Sequence, residues 1–195
     1  LAMSMPKELA ALTGIDAFTS AFESYWSIEA EPVSDALDLQ VIRSFATHLE
    51  SSCNIGDLAA RSECSLAATM SGVAYSNSHP NVCHAIGSPL TLHWEVAHGQ
   101  AVGITLSAML RWTAPAISTK LAALWDALGV TGLEEAVGRI AQIMENCGLK
   151  TSLSSLGITT GGLDTLVEHT RWDRVSALPT PLNHDDLRRV LQDLM

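Results

Sequence analysis

Three residues of this sequence have side chains that could bind one divalent cation, although they lie far apart along the chain. They are Asp16, His84 and His98, and the two histidines are fourteen residues apart. One carboxylate and two imidazoles suit zinc or ferrous iron, and three protein ligands leave a coordination position open for a substrate oxygen. These residue types therefore predict a Lewis-acid site, provided that the fold brings the three side chains together.

Each of these residues also has an explanation that needs no metal. Asp16 lies three residues after Thr13, so it could complete a variant of the capping box and interact with a helix N-terminus. His84 could be a hydrogen-bonded core histidine, and His98 could be an exposed residue at the start of a helix. His93 competes for a ligand role, although the five-residue step from His93 to His98 is poor for one helical face. Spacing alone leaves these alternatives open.

The elements that must position these residues are predicted to be helices. Apolar residues recur at spacings of three and four nearly everywhere, and the alternation typical of strands is almost absent. We predict an all-α fold, a bundle of about eight helices stacked as helical hairpins, in a single domain over residues 1–195. The four cysteines include no Cys-x-x-Cys pair, which favours buried free thiols over a zinc knuckle or a disulfide scaffold.

The helix boundaries are predicted from the apolar stripes and their breaks. The first helix is predicted to open at Thr13, and the third, rich in Ala and other small residues, is predicted to be central. The segment between Asn77 and Gly99 is predicted to be irregular, with Pro89 preventing one continuous helix between the two candidate histidine ligands. Asn183 or His184 can cap the last helix. The helices predicted after the first cover about 34–50, 56–75, 98–112, 118–128, 133–146, 161–169 and 185–194.

Composition and missing motifs exclude several classes of function. Eleven Lys and Arg against 21 Asp and Glu give a formal charge of −10, so a nucleic-acid backbone would be repelled and no nucleic-acid partner is expected. No apolar run approaches the roughly 20 residues that cross a bilayer, and no signal peptide is recognisable, so we expect no membrane partner and a cytoplasmic protein. Neither Gly-x-Gly-x-x-Gly nor a Walker-type loop occurs, which argues against a nucleotide-binding domain within these residues.

The candidate ligands lie in two recognisable blocks of sequence. The first is Thr-Gly-Ile-Asp-Ala-Phe at 13–18, followed by Phe-Glu-Ser-Tyr-Trp-Ser at 22–27. The second is His-Ala-Ile-Gly-Ser-Pro-Leu at 84–90, followed by His-Gly-Gln-Ala-Val at 98–102. Together they resemble the C-terminal helical domain of iron-containing (group III) alcohol dehydrogenases, with its Thr-Gly-x-Asp-Ala-Leu, Ile-Glu-x-Tyr, His-Ala-x-x-His-Pro-Leu and His-Gly-x-Ala segments. The Trp-Ser pair at 26–27 resembles the subgroup of phosphonoacetaldehyde reductases, and the family resemblance covers nearly the whole chain.

The resemblance implies a metal-binding helical half of an NAD(P)-dependent oxidoreductase that acts on an aldehyde or alcohol. It implies that Asp16, His84 and His98 are ligands to Fe²⁺ or Zn²⁺. The sequence departs from the family at Ser20, where a histidine usually follows the aspartate by one helical turn, and at Ser88, where a further histidine is expected. Because a histidine ligand is missing, we expect weaker metal binding. Glycerol dehydrogenases and dehydroquinate synthases hold zinc with one carboxylate and two histidines, so we also expect the preference to shift from iron toward zinc.

The family also implies a partner domain for this helical part. Its members place a nucleotide-binding domain first, whereas this sequence starts at Leu1 where the helical domain starts, so we expect that domain to be absent. NAD(P) would then bind only if a separate domain supplied the site, and the chain alone is expected to be inactive. An apolar face left exposed would favour a homo-oligomer. The alternative is a freestanding, non-catalytic helical module used for oligomerisation or ligand binding, and a lyase like dehydroquinate synthase would need the same nucleotide domain.

Overall fold

The fold is helical throughout the part of the chain that the structure, a computed structural model, describes. This part is residues 2–79 and 81–195, and Leu1 and Pro80, which the predicted single domain includes, lie outside it. Within these ranges all regular elements are helices, nine of the eleven α-helices have seven or more residues, and the all-α prediction is confirmed. The α-helices are α1 (Lys7–Trp26), α2 (Pro32–Asn54), α3 (Leu58–Ser78), α4 (Val82–Trp94), α5 (His98–Gly103), α6 (Leu106–Thr113), α7 (Leu121–Leu128), α8 (Leu133–Asn146), α9 (Gly162–Glu168), α10 (Trp172–Val175) and α11 (His184–Gln192).

Helix α1, not α3, forms the centre of the bundle. Thirteen of its 20 residues are buried, and α2, α3 and α5 pack around it. The ring of Phe18 packs edge to face against Phe22 and Phe45, with centroid distances of 5.1 and 6.1 Å. Helix α3 instead leaves Leu66 and Val73 more than half exposed. The prediction that α3 is central is therefore wrong, because its small residues permit close packing on one face without requiring burial of the other.

The sequence predicts that helix α1 begins at Thr13, but in the structure it begins at Lys7. Thr13 lies within the helix, and its hydroxyl donates a hydrogen bond of 2.8 Å to the carbonyl of Leu9 one turn earlier. Asp16 therefore projects from the middle of a helix, and the capping-box explanation for this residue is wrong. Ala10 and Ala11 are buried and continue the apolar stripe N-terminally, where small side chains make the pattern weak.

The segment predicted to be irregular is largely helical. Helix α3 continues to Ser78 and α4 starts at Val82, so His84 lies in the first turn of a helix. Pro89 lies inside α4 and does not end it. A proline leaves the carbonyl four residues earlier without its helical N–H donor, and here the backbone N–H of Arg171 donates to that carbonyl of Ala85 at 3.2 Å.

The break between the two candidate histidine ligands falls after Pro89. Glu95 ends α4 in the left-handed conformation, with φ of 55°, and α5 starts at His98. The helix predicted over 98–112 is divided into α5 and α6, and the short α10 has no counterpart among the predicted helices. Helix α8 has the predicted bounds, and the side chain of Asn183 caps α11 by accepting the N–H of Asp186 at 2.9 Å.

The cysteines and the lengths of the helices are two further features of the fold. All four cysteines are free thiols, as predicted, and Cys64 is half-buried while the other three are buried. Within residues 2–79 and 81–195, none of the helices has both the length and the apolar composition that a bilayer-spanning segment requires.

Candidate metal centre

Helices α1, α4 and α5 bring the three candidate ligands to one place. Asp16 projects from the middle of α1, His84 from the first turn of α4, and His98 is the first residue of α5. The Nε2 atom of His84 lies 3.3 Å from Oδ1 of Asp16, and Nε2 of His98 lies 4.0 Å from Oδ2. One potential ligand atom from each residue lies within 4.8 Å of the other two.

Two glycines allow the helices to approach closely enough for this arrangement. A Cβ atom at Gly99 would lie 1.9 Å from the backbone oxygen of Leu12, so α5 can pack against α1 only with glycine there. A Cβ atom at Gly87 would lie 2.7 Å from the side chain of Val102, at the contact of α4 with α5. The residue that follows His98 therefore sets how near this histidine comes to Asp16.

The three side chains line an open cleft of about 780 Å³. Their side-chain exposures are 9% for His84, 32% for Asp16 and 48% for His98, so the cluster is anchored at its buried end and open at the other. Ser20, one turn after Asp16, lines the same cleft, and the far wall includes residues of α3 and Arg174 of α10. A small molecule entering the cleft would thus reach the cluster directly.

A buried carboxylate supports His84 from behind. Glu23 of α1 has no exposed surface, and its two oxygens accept hydrogen bonds from Nδ1 of His84 and from the backbone N–H of Cys83. Burial by itself lowers the pKa of His84, but the charge of Glu23 and hydrogen bonds to Asp16 and Glu23 outweigh it and raise the pKa to about 9. Without a cation, His84 therefore carries a proton between two carboxylates, and a cation bound at Nε2 would displace that proton.

The donor set fits a small divalent cation. Atoms that share a tetrahedral zinc at about 2.1 Å lie about 3.4 Å from one another, so the candidate ligand atoms need to shift by no more than side-chain rotations allow. The nitrogens that face the cleft are imidazole Nε2 atoms, and the oxygen belongs to a carboxylate. This combination suits Zn²⁺ or Fe²⁺ better than it suits Mg²⁺ or Ca²⁺, which prefer oxygen ligands.

Two further residues considered from the sequence, His93 and Ser88, do not join the cluster. The ring of His93 packs instead against His169, with the centroids 4.6 Å apart. The hydroxyl of Ser88 donates to the backbone oxygen of His84 at 2.9 Å, so it satisfies the helix rather than facing Asp16. His93 is therefore separated from the cluster, and the ligand role of Asp16, His84 and His98 remains a prediction.

Two residues of this region are not among those predicted from the sequence. Glu23 lies seven residues after Asp16, on the same side of α1, and an acidic residue within the apolar run from Phe22 to Trp26 was a signal of a buried partner. Arg174 could not be found in the same way, because the short helix that carries it was not predicted.

Comparisons with known proteins agree with one another. Residues 10–195 match the profile of the C-terminal part of the Fe-containing alcohol dehydrogenase family. The 1,3-propanediol dehydrogenase of Klebsiella pneumoniae is 32% identical over 81% of this chain and 43% of its own length. The sulfoacetaldehyde reductase of Bilophila wadsworthia is 28% identical over 83% and 42%.

The solved structures show the same likeness in three dimensions. The crystal structure of a 1,3-propanediol oxidoreductase superposes with a TM-score of 0.93 at 26% identity, over 99% of this chain and 53% of that one. The chain spans about half the length of the curated relatives that it matches.

Proposed function

This chain belongs to the Fe-containing alcohol dehydrogenase family, whose C-terminal part it matches, and we propose that it is the metal-binding helical half of an NAD(P)-dependent oxidoreductase that acts on an aldehyde or alcohol. The observation that carries this proposal is the convergence of Asp16, His84 and His98 on one open cleft. The three residues come from separate helices, so their convergence depends on the tertiary fold rather than on local sequence.

The three residues would hold Fe²⁺ or Zn²⁺, which acts as a Lewis acid that polarises a carbonyl or alcohol oxygen. Asp16 supplies a negative charge that offsets part of the charge of the cation, and His84 is fixed by Glu23. Ser20, at the position where the family usually has a fourth ligand, favours weaker binding and a shift of preference toward zinc.

The cofactor and the substrate would meet in this cleft. NAD(P) would be held by a nucleotide-binding domain outside these residues, and the helical half would orient the oxygen of the substrate. Hydride transfer depends on that mutual positioning, so the 195-residue chain by itself is proposed to be inactive. Turnover of an aldehyde with NADH or NADPH by this chain alone would contradict that part of the proposal.

Arg174 supports a negatively charged substrate. Arg174 lines the same cleft, and within the described residues its side chain has no hydrogen bond or salt bridge, whereas neighbouring Arg171 is paired with Asp173. An unpaired guanidinium is suited to a phosphonate, sulfonate or carboxylate group. A short aldehyde with such a group at its far end fits both the sulfoacetaldehyde reductase among the relatives and the Trp-Ser pair at 26–27.

The alternative is a non-catalytic helical module, and the two serines at family histidine positions favour it. Ser20 and Ser88 reduce the number of potential ligands, and the exposed Leu66 and Val73 of α3 support association with another protein surface, such as a second copy. Light scattering that shows a strict monomer at all concentrations would contradict a homo-oligomer. Metal binding distinguishes the two functions, because a module that has lost the metal site should not bind Zn²⁺ or Fe²⁺.

Calorimetric titration of the metal-free chain with Zn²⁺ tests the proposed site. We expect one site per chain, and a rise in Kd of at least about 100-fold in Asp16→Asn and in His98→Gln, since each change removes a ligand. His93→Gln is the matched control, because it removes an exposed histidine that lies close in sequence but outside the cluster, and its Kd should equal that of the wild type. Absence of binding by the wild type, or equal binding by all four proteins, would favour the non-catalytic module.

Binding of phosphonoacetate, an unreactive analogue, to the zinc-loaded chain tests the substrate class. Arg174→Gln should raise the Kd by about tenfold, as expected for loss of one charge-assisted contact. Arg188→Gln is the control, since Arg188 pairs with Asp164 outside the cleft. Equal affinities in the two variants would leave an uncharged aldehyde or alcohol as the substrate.

A further inference from the structure

The geometry behind the cluster points to a role for Glu23 as a positioning residue that holds His84 in the one tautomer able to bind a cation. This inference rests on the proposed metal site and adds to it a residue that touches neither the cation nor the substrate. It concerns the single hydrogen of the neutral His84 ring, because its position decides whether Nε2 presents a lone pair or an N–H to the cleft.

Each oxygen of the Glu23 carboxylate faces one nitrogen. One oxygen accepts the backbone N–H of Cys83, and the other faces Nδ1 of His84. A backbone N–H can only donate, and a carboxylate can only accept. Nδ1 of His84 must therefore carry a hydrogen, and the lone pair of a neutral ring lies on Nε2, which faces Asp16.

The backbone around Glu23 is fixed by a second set of hydrogen bonds. The side chain of Asn81 donates to the carbonyl of Glu23 at 2.9 Å and accepts from Nε1 of Trp26, also at 2.9 Å. The same Asn81 oxygen accepts the N–H of Val82 at the start of α4. All four residues joined by these bonds are buried, so the end of α1 and the start of α4 are held together where Glu23 meets His84.

Replacement of Glu23 by glutamine has a specific consequence. The new side chain has the same shape, but one terminal atom accepts and the other donates. Because the N–H of Cys83 can only donate, the amide oxygen must turn toward Cys83, which directs the amide NH₂ group at Nδ1 of His84. Nδ1 must then accept, the hydrogen moves to Nε2, and the lone pair is lost from the cleft side.

A purely structural role for Glu23 predicts the opposite order of effects. Glutamine preserves volume, whereas aspartate shortens the side chain by one methylene and leaves a small void. If Glu23 only filled space, Glu23→Asp would be more harmful than Glu23→Gln. If Glu23 selects the tautomer, Glu23→Gln is more harmful to metal binding, because aspartate remains an acceptor-only group.

The test measures the ring nitrogens of His84 by ¹⁵N NMR and the Zn²⁺ affinity by calorimetry, both on the full chain. In the zinc-free wild type above pH 9, where the His84 ring is neutral, Nδ1 should show the chemical shift of a protonated nitrogen and Nε2 that of an unprotonated one. In Glu23→Gln, measured at the same pH, the two shifts should be exchanged. The Kd for Zn²⁺ should rise by about 10- to 100-fold in Glu23→Gln and by less in Glu23→Asp. Glu29→Gln, which removes a carboxylate of the cleft wall that pairs with His79, should change neither measurement.

The outcomes separate this inference from the proposed function. An unprotonated Nδ1 in the wild type, an unchanged tautomer in Glu23→Gln, or a larger loss of affinity in Glu23→Asp would overturn the role of Glu23. A wild type that binds no zinc would overturn the proposed metal site, while the NMR comparison of the zinc-free proteins would still decide the tautomer. Thermal unfolding of each variant shows whether the fold is retained.

Discussion

Two buried carboxyl groups lie close together in the bundle but differ in their hydrogen-bond partners: Glu23 belongs to α1, and Asp38 of α2 contacts the next residue of α1, Ser24. Glu23 accepts hydrogen bonds from two N–H groups where α1 meets α4. Asp38 of α2 accepts one hydrogen bond of 2.5 Å from the hydroxyl of Ser24, and its other oxygen has no partner among the described residues. Burial raises the pKa of Asp38 to about 8, although the hydrogen bond from Ser24 opposes that rise.

The comparison shows that burial alone does not determine what a carboxyl group does. Glu23 is matched by donors that fix its orientation, and through His84 it is connected to the open cleft. Only one oxygen of Asp38 accepts a hydrogen bond, and no described contact links this side chain to the cleft. Because its pKa is about 8, Asp38 is predominantly a neutral acid at neutral pH, and it links α2 to α1. The first arrangement suits a site, and the second suits packing.

The largest expected effect comes from removing Glu23 altogether. Glu23→Leu leaves the N–H of Cys83 and Nδ1 of His84 buried without an acceptor, and we expect the free energy of unfolding to fall by about 3 kcal/mol. Urea unfolding at pH 7 measures this change. A loss of less than about 1 kcal/mol would show that the hydrogen bonds of Glu23 stabilise the fold no more than the single hydrogen bond of Asp38 does.

A smaller effect of opposite sign is expected at the other carboxyl group. Asp38→Asn removes an acid whose charged form is disfavoured, and the free energy of unfolding at pH 7 should rise by about 2 kcal/mol. The Zn²⁺ affinity should stay at the wild-type value, since Asp38 has no contact with the cluster. A destabilised Asp38→Asn would mean that the acid makes a favourable contact that its hydrogen bonds do not reveal.

The pH dependence of stability gives the smallest change per pH unit and the most specific test of Asp38. The pKa of Asp38 is about 8 in the folded protein and about 3.9 in the unfolded chain, so between these values the folded state binds one more proton. Stability from this group is present below pH 4 and is lost as the pH rises toward 8, by about 1.4 kcal/mol per pH unit. We expect this slope in the wild type minus Asp38→Asn difference between pH 5 and 7, and equal slopes in the two proteins would contradict it.

The sequence predicted the helical class and the strongest local patterns. The bounds of α8 were predicted because its apolar stripe is regular and Gly148 follows its end. The continuation of α4 through Pro89 was not predicted, because the donor that replaces the lost hydrogen bond is the backbone of Arg171, far away in the chain. Local rules for proline describe an isolated helix, and here a tertiary contact overrides them.

In the candidate site, too, local sequence patterns predict the residues but not the tertiary contacts that position them. Asp16, His84 and His98 were selected by residue type and by resemblance to family motifs. The support from Glu23 was missed because it exists only where α1 and α4 pack together. Likewise, the close approach of His98 depends on Gly99 meeting the backbone of Leu12, a contact that no local pattern reveals.

The central claim is that Asp16, His84 and His98 hold one divalent cation. Anomalous diffraction at the zinc edge, from crystals of the chain grown with Zn²⁺, tests it most directly. We predict a single strong peak in the cleft, about 2.1 Å from Nε2 of both histidines and from one oxygen of Asp16. A peak bound instead by His93 and His169, or a cleft without a peak at saturating zinc, would contradict the account.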